Sequence, residues 1–124
     1  MVPPHEELRG RRILIVEDNF LVAENLREFL RSRGCEVVGP SPGVDEALNL
    51  LADGRVDGAM LDINLGHEDC FPIAAALQKR AVPFLFLTGY DDTMPIPAEF
   101  RCTPRLSKPV GEHELIAATR RLLE

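Results

Sequence analysis

Four consecutive apolar residues, Ile13-Leu14-Ile15-Val16, stop abruptly at two acids, Glu17 and Asp18. A short run with no polar alternation reads as a strand buried on both faces. Such a strand needs cover on each side, and that requirement restricts the chain to layered folds in which helices flank a sheet.

The period then changes. Over residues 19–33, Val22, Leu26, Phe29 and Leu30 recur at helical spacing, with Asn19 as the cap and Gly34 as the left-handed stop. Val37 and Val38 mark a second strand over 36–39, and Pro40, Ser41, Pro42 and Gly43 predict a turn. Val44, Ala47, Leu48 and Leu51 resume the helical period, which Gly54 closes. A third strand, Gly58–Asp62, ends on an acid, and a loop through Asn64, Leu65 and Gly66 leads to a helix expected over 68–80. Phe84, Leu85, Phe86 and Leu87 form a fourth strand over 83–87, ending in Thr88 and Gly89. Pro95, Pro97 and Pro104 remove backbone donors from residues 90–104, where a loop or at most one helical turn is expected. A fifth strand, Arg105–Ser107, precedes Lys108 and Pro109, and Leu115, Ile116, Thr119, Leu122 and Leu123 mark a last amphipathic helix. Strands alternating with helices imply right-handed crossovers and one open parallel sheet, so the fold class is α/β.

Composition narrows the function. At 124 residues, with 45% hydrophobic and 27% charged side chains, the chain suits one soluble globular domain. A net charge of −6 disfavours nucleic acid and anionic membranes as partners. No apolar run approaches the roughly 18 residues of a membrane span. The N-terminal residues lack the pattern of a signal peptide. Cys35, Cys70 and Cys102 are too scattered for a zinc knuckle or a disulfide framework, and they read as packing residues in a reducing, cytoplasmic setting. Cys102 is the one to probe with a thiol reagent.

Open parallel sheets bind ligands beyond the carboxyl ends of their strands. Those ends carry Glu17, Asp18, Asp62, Thr88 and Lys108. Three converging carboxylates resist simultaneous ionisation without a cation, and an all-oxygen donor set suits magnesium. A hydroxyl and an ammonium beside them are what the oxygens of a phosphoryl group require. Singly, each residue has a plainer reading: Asp18 as a helix cap, Lys108 as a lysine at a turn, Thr88 as an ordinary strand end. Together they argue for a site.

Val16-Glu17-Asp18-Asn19, Leu61-Asp62-Ile63-Asn64-Leu65-Gly66, Thr88-Gly89 and Lys108-Pro109 resemble the receiver domain (CheY-like) of two-component response regulators, over residues 11–124. The resemblance implies a flavodoxin-like three-layer sandwich with strand order 2-1-3-4-5. It implies Asp62 as the phosphoacceptor. Glu17, Asp18, Asp62 and the backbone carbonyl of Asn64 would hold Mg2+ (or Mn2+), with Thr88 as the switch hydroxyl and Lys108 on the phosphoryl group. Lys108-Pro109 would be a cis peptide. The implied donor is a histidine kinase or phosphotransfer protein. Residues 1–10 are expected to form a flexible arm, and with no effector expected the signal leaves by protein contact, or the chain acts as a phosphate shuttle or sink.

Two departures stand out. Arg105 occupies the position where receivers usually carry an aromatic residue, and the segment 90–104 replaces a full fourth helix. With Phe86-Leu87-Thr88-Gly89-Tyr90, these resemble the stand-alone FATGUY subgroup and its Phe-x-Thr-Gly-Tyr signature. Tyr90 is then expected to take over the aromatic role, and 90–104 to order or move on phosphorylation. Tyr90 and Asn64, each two residues beyond a site residue, are expected to govern water access to the acyl phosphate. His67 reads as a solvated loop residue more readily than as a docking contact, and Arg9, Arg11 and Arg12 as a solvated lead-in to the first strand. Two other functions stay open: a magnesium-dependent aspartyl phosphohydrolase of haloacid-dehalogenase type, and a receiver that is never phosphorylated. The first wants its nucleophile after the first strand and a second Asp two positions on, where this chain has Asn64.

Overall fold

The computed structural model describes residues 8–89 and 95–124. Five parallel strands alternate with four α-helices among these residues: β1 (Arg12–Val16), α1 (Phe20–Ser32), β2 (Glu36–Ser41), α2 (Val44–Asp53), β3 (Gly58–Asp62), α3 (Phe71–Lys79), β4 (Phe84–Thr88), β5 (Arg105–Ser107) and α4 (Glu112–Leu122). The sheet order is β2-β1-β3-β4-β5, as the resemblance implies. The order reverses between β1 and β3, so their carboxyl ends open the crevice where the acids stand.

Alternation along the strands builds two cores from one sheet. Leu14, Val16, Ala59, Leu61, Phe84 and Phe86 face α2 and α3. Ile13, Ile15, Met60, Leu85 and Leu87 face the other way, against Leu26 and Leu30 of α1 and Leu115 of α4. Each fully buried Leu, Ile or Phe stabilises the fold by about 1.5–3 kcal/mol over its exposed state. Asn19 caps α1, its Oδ1 accepting from Val22 N at 3.1 Å, and Gly34 follows the helix at φ +91°.

Three expectations needed adjustment. β2 continues to Ser41 instead of turning at Pro40, and its register against β1 shifts between Leu14 and Val16. β2 is an edge strand, and Pro40, which has no N–H to give to β1, falls at that register shift, so that Ser41 pairs with Val16. The Gly39–Pro40 peptide is cis, and Gly39 lies at φ +95°, where a Cβ would stand 2.8 Å from Ser41 N. α3 begins at Phe71, not 68, because Asn64 and Asp69 pair across a loop and the Asp69 carboxylate accepts from Phe71 N at 3.0 Å. Residues 8–10 are packed: Leu8 is 1% exposed, and Gly10 N donates to Gly34 O at 2.8 Å. Residues 1–7 and 90–94, including Tyr90, lie outside the described residues.

Where a loop or at most one helical turn was expected, the described residues 95–104 hold a 3-10 turn at Ala98–Phe100. It is anchored by Phe100, 1% exposed, which stacks on Phe71 with ring centroids 5.9 Å apart and also meets Phe84 and Phe86.

Candidate functional site

Each strand delivers its residue by ending. β1 hands over to Glu17, whose N–H donates to Ser41 O of β2 at 2.9 Å. The Glu17 side chain is buried, while Asp18 is exposed. Asp62 closes β3 and is 2% exposed. Lys108 follows β5, held by its N–H to Thr88 O at 2.8 Å, and the Lys108–Pro109 peptide is cis.

The side chains converge. Lys108 Nζ lies 2.8 Å from Glu17 Oε1 and 3.2 Å from Asp62 Oδ2. Glu17, Asp18 and Asp62 each offer a carboxylate oxygen within 4.8 Å of the others. Burial by itself would raise Glu17, but hydrogen bonds with Asp62, Lys108 and the Asn19 N–H outweigh it and hold Glu17 low. Asp62 takes the opposite share: burial first, then the Glu17 carboxylate, push it up to about 8 against the pull of Lys108. Lys108 is raised, because the two carboxylates overcome the effect of its burial.

This imbalance tests whether a divalent cation fits. Two nearly buried carboxylates and one exposed one face a single ammonium, and the cluster is short of positive charge. The donors are all oxygen, and the open side at Asp18 leaves room for water ligands, which is the set magnesium accepts. The residues fit such an ion.

Around this centre, Asn64 N donates to Asp62 Oδ1 at 3.3 Å, and Asn64 Oδ1 accepts from Gly66 N at 3.0 Å. Thr88 Oγ1 reaches Leu106 O across to β5 at 3.5 Å. Arg105 is exposed on β5, so no aromatic side chain occupies that position. The structure thus gathers Glu17, Asp18, Asp62 and Lys108, with Asn64 and Thr88 adjoining. Two supporting residues escaped the sequence reading. Ser41 supplies the carbonyl that holds the Glu17 backbone N–H, and Glu68 reaches back to α2. Glu68 read as the start of a helix, and no local signal pointed to α2.

Among the described residues no helix is long and apolar enough to cross a membrane. The model of the response regulator receiver domain matches residues 13–120. The chain is 39% identical to SdrG from Sphingomonas melonis Fr1, with a TM-score of 0.82 over 93% of this chain and 98% of that one. The BeF3-activated conformation of SdrG from Pseudomonas melonis Fr1 is similar at 40% identity and a TM-score of 0.76, over 91% and 96%. Response regulator MprA of a Mycobacterium species is 34% identical over 90% of this chain and 50% of its own length. Transcriptional regulatory protein PdtaR of Mycobacterium tuberculosis is 31% identical over 87% and 54%. The chain thus spans about half the length of the curated relatives it matches. By its fold, its crevice of acids and the family model that covers most of its length, the chain belongs to the response regulator receiver domains of two-component signalling.

Proposed function

We propose that the protein is a phosphoacceptor switch that takes a phosphoryl group onto Asp62 from a phosphohistidine donor, a histidine kinase or phosphotransfer protein. The observation that carries this reading is the nearly buried Asp62 carboxylate, 3.2 Å from Lys108 Nζ and clustered with Glu17 and Asp18. In the transfer, an Asp62 oxygen attacks phosphorus in line as the P–N bond to the donor imidazole breaks, and the bonding pair leaves with the imidazole. Lys108 follows the charge onto the phosphoryl oxygens, and Thr88 turns its hydroxyl from Leu106 O toward them. Glu17, Asp18, Asp62 and the Asn64 carbonyl would hold Mg2+ or Mn2+, which when bound neutralises the carboxylates and the incoming oxygens. The added charge of about −1.5 to −2 then biases β4 and β5 between two states.

The chain is proposed to act in the cytoplasm through protein contacts, or as a phosphate shuttle or sink, and not on nucleic acid or membranes. We place it in the FATGUY subgroup. Exposed Arg105, the short 3-10 turn at Ala98–Phe100 and the similarity to SdrG along 98% of that chain support this. Tyr90 would then replace the missing aromatic.

Incubation with MgCl2 and acetyl phosphate is expected to leave an acid-stable, base-labile phosphate on Asp62, absent in Asp62→Ala. Since SdrG has a BeF3-activated conformation, BeF3 is expected to shift the amide resonances of residues 88–108. No phosphate on Asp62 from either acetyl phosphate or a phosphorylated kinase sinks the reading. Repeated turnover of a small phosphate ester favours the hydrolase instead.

A further inference from the structure

We propose that Glu68 is a positioning residue for this site: it ties the loop after Asp62 to the N-terminus of α2 and so sets where Asn64 stands. The inference rests on the reading above, in which the Asn64 carbonyl is a cation ligand.

α2 starts poorly capped. Its N-cap is Gly43, which has no side chain, although the first turn of any helix presents N–H groups without partners. Glu68, 24 residues away, supplies the acceptor, with Oε2 3.0 Å from Val44 N. Gly43 leaves it room, since a Cβ there would stand 2.9 Å from that oxygen. A carboxylate at this end also meets the favourable pole of the helix dipole.

The loop transmits the anchor inward. Leu65 N donates to Glu68 O at 2.9 Å, Asn64 pairs with Asp69, and Cys70 N donates to Ile63 O at 3.1 Å. The segment is a compact return whose outer corner is Glu68 and whose inner strand carries Asn64. Asn64 N in turn donates to Asp62 Oδ1 at 3.3 Å. Releasing Glu68 therefore lets the inner strand move relative to Asp62. Partners that orient metal ligands are worth roughly 10–100-fold in affinity when removed.

The test separates positioning from simple helix capping. Three variants are compared with the parent: Glu68→Ala, Glu68→Gln, and Glu68→Ala combined with Gly43→Asp, which gives α2 a cap of its own once the clash with Glu68 is gone. MgCl2 titration calorimetry, the Asn64 amide resonance without metal, and Tm are the readouts. Glu68→Ala is expected to weaken Mg2+ binding about ten-fold and shift the Asn64 amide. Gln still accepts from Val44 N–H and is expected to keep both near the parent. The double variant is expected to recover Tm while Mg2+ binding stays weak. Unchanged Mg2+ binding in Glu68→Ala, or recovery of binding together with Tm in the double variant, overturns the proposal. Should the parent itself bind no Mg2+, the function proposed above fails. The Asn64 amide then decides alone: a shift in Glu68→Ala that the double variant retains supports positioning, and any other result refutes it.

Discussion

The surroundings of Asp62 resist its ionisation. Its carboxyl moves from 3.8 to about 8 because burial and Glu17 together outweigh Lys108. The folded state then holds a proton that the unfolded chain releases between about pH 4 and pH 8. Where the native state binds more protons, stability falls as pH rises. Metal-free protein is therefore expected to lose a few kcal/mol between pH 5 and pH 8, read as falling urea midpoints. Asp62→Asn is expected to flatten that slope, and MgCl2 to raise the midpoint more at pH 8 than at pH 5; a midpoint that climbs with pH in metal-free protein contradicts this. The cysteines divide by burial. Cys35 and Cys70 are buried, with thiols pushed up by desolvation to about 11 and about 12, whereas Cys102 is exposed. A thiol reagent at neutral pH is expected to label Cys102 in native protein and the other two only after unfolding, as peptide mass mapping will show. The site acids themselves were legible because each ends a run of apolar residues. How the proton divides between Glu17 and Asp62 was not, since it depends on Lys108 arriving from the other end of the chain.

Among the described residues between β4 and β5, a 3-10 turn at Ala98–Phe100 stands before β5. Phe100 inserts that turn among Phe71, Phe84 and Phe86, and Ile96 packs against the same core beside it. Phe100→Ala is expected to cost about 3–5 kcal/mol, measured by urea denaturation, and to loosen amide protection around β5; a loss under about 1 kcal/mol would mean that the cavity collapses and the anchor is dispensable. The prolines made the shortage of helix here legible, whereas the anchoring role of Phe100 was not. An isolated aromatic such as Phe100, between Pro97 and Pro104, has no period to betray where it packs. Leu8 is the same case at the other edge: isolated before β1, it is buried with Leu30 and Cys35. Leu8→Ala is expected to cost about 2–5 kcal/mol, checked by the same denaturation, and a near-zero change would show that the residue leaves its pocket without penalty.

At the scale of the molecule, one sheet serves two cores, so neither core survives loss of the other. Unfolding in urea is expected to be a single transition, with far-ultraviolet circular dichroism and the amide signals of α2 and α4 losing native structure at one midpoint; separate midpoints would show that the two layers are independent. The same topology explains what could be read from the chain beforehand. Strand and helix periods, the acids that stop β1 and β3, and the order of elements are local or sequential properties, and crossover handedness turns them into one open parallel sheet, whose strand order the family resemblance supplied. Tertiary structure decided the rest: that β2 runs on through Pro40, that residues 8–10 dock, that Ser41 O holds the Glu17 backbone, and that Glu68 stands in the loop before α3 and accepts from the first turn of α2. Each of these depends on a partner distant in sequence. Such pairings are selected by packing and by the need to satisfy buried donors and acceptors, and that need arises only once the layers have come together.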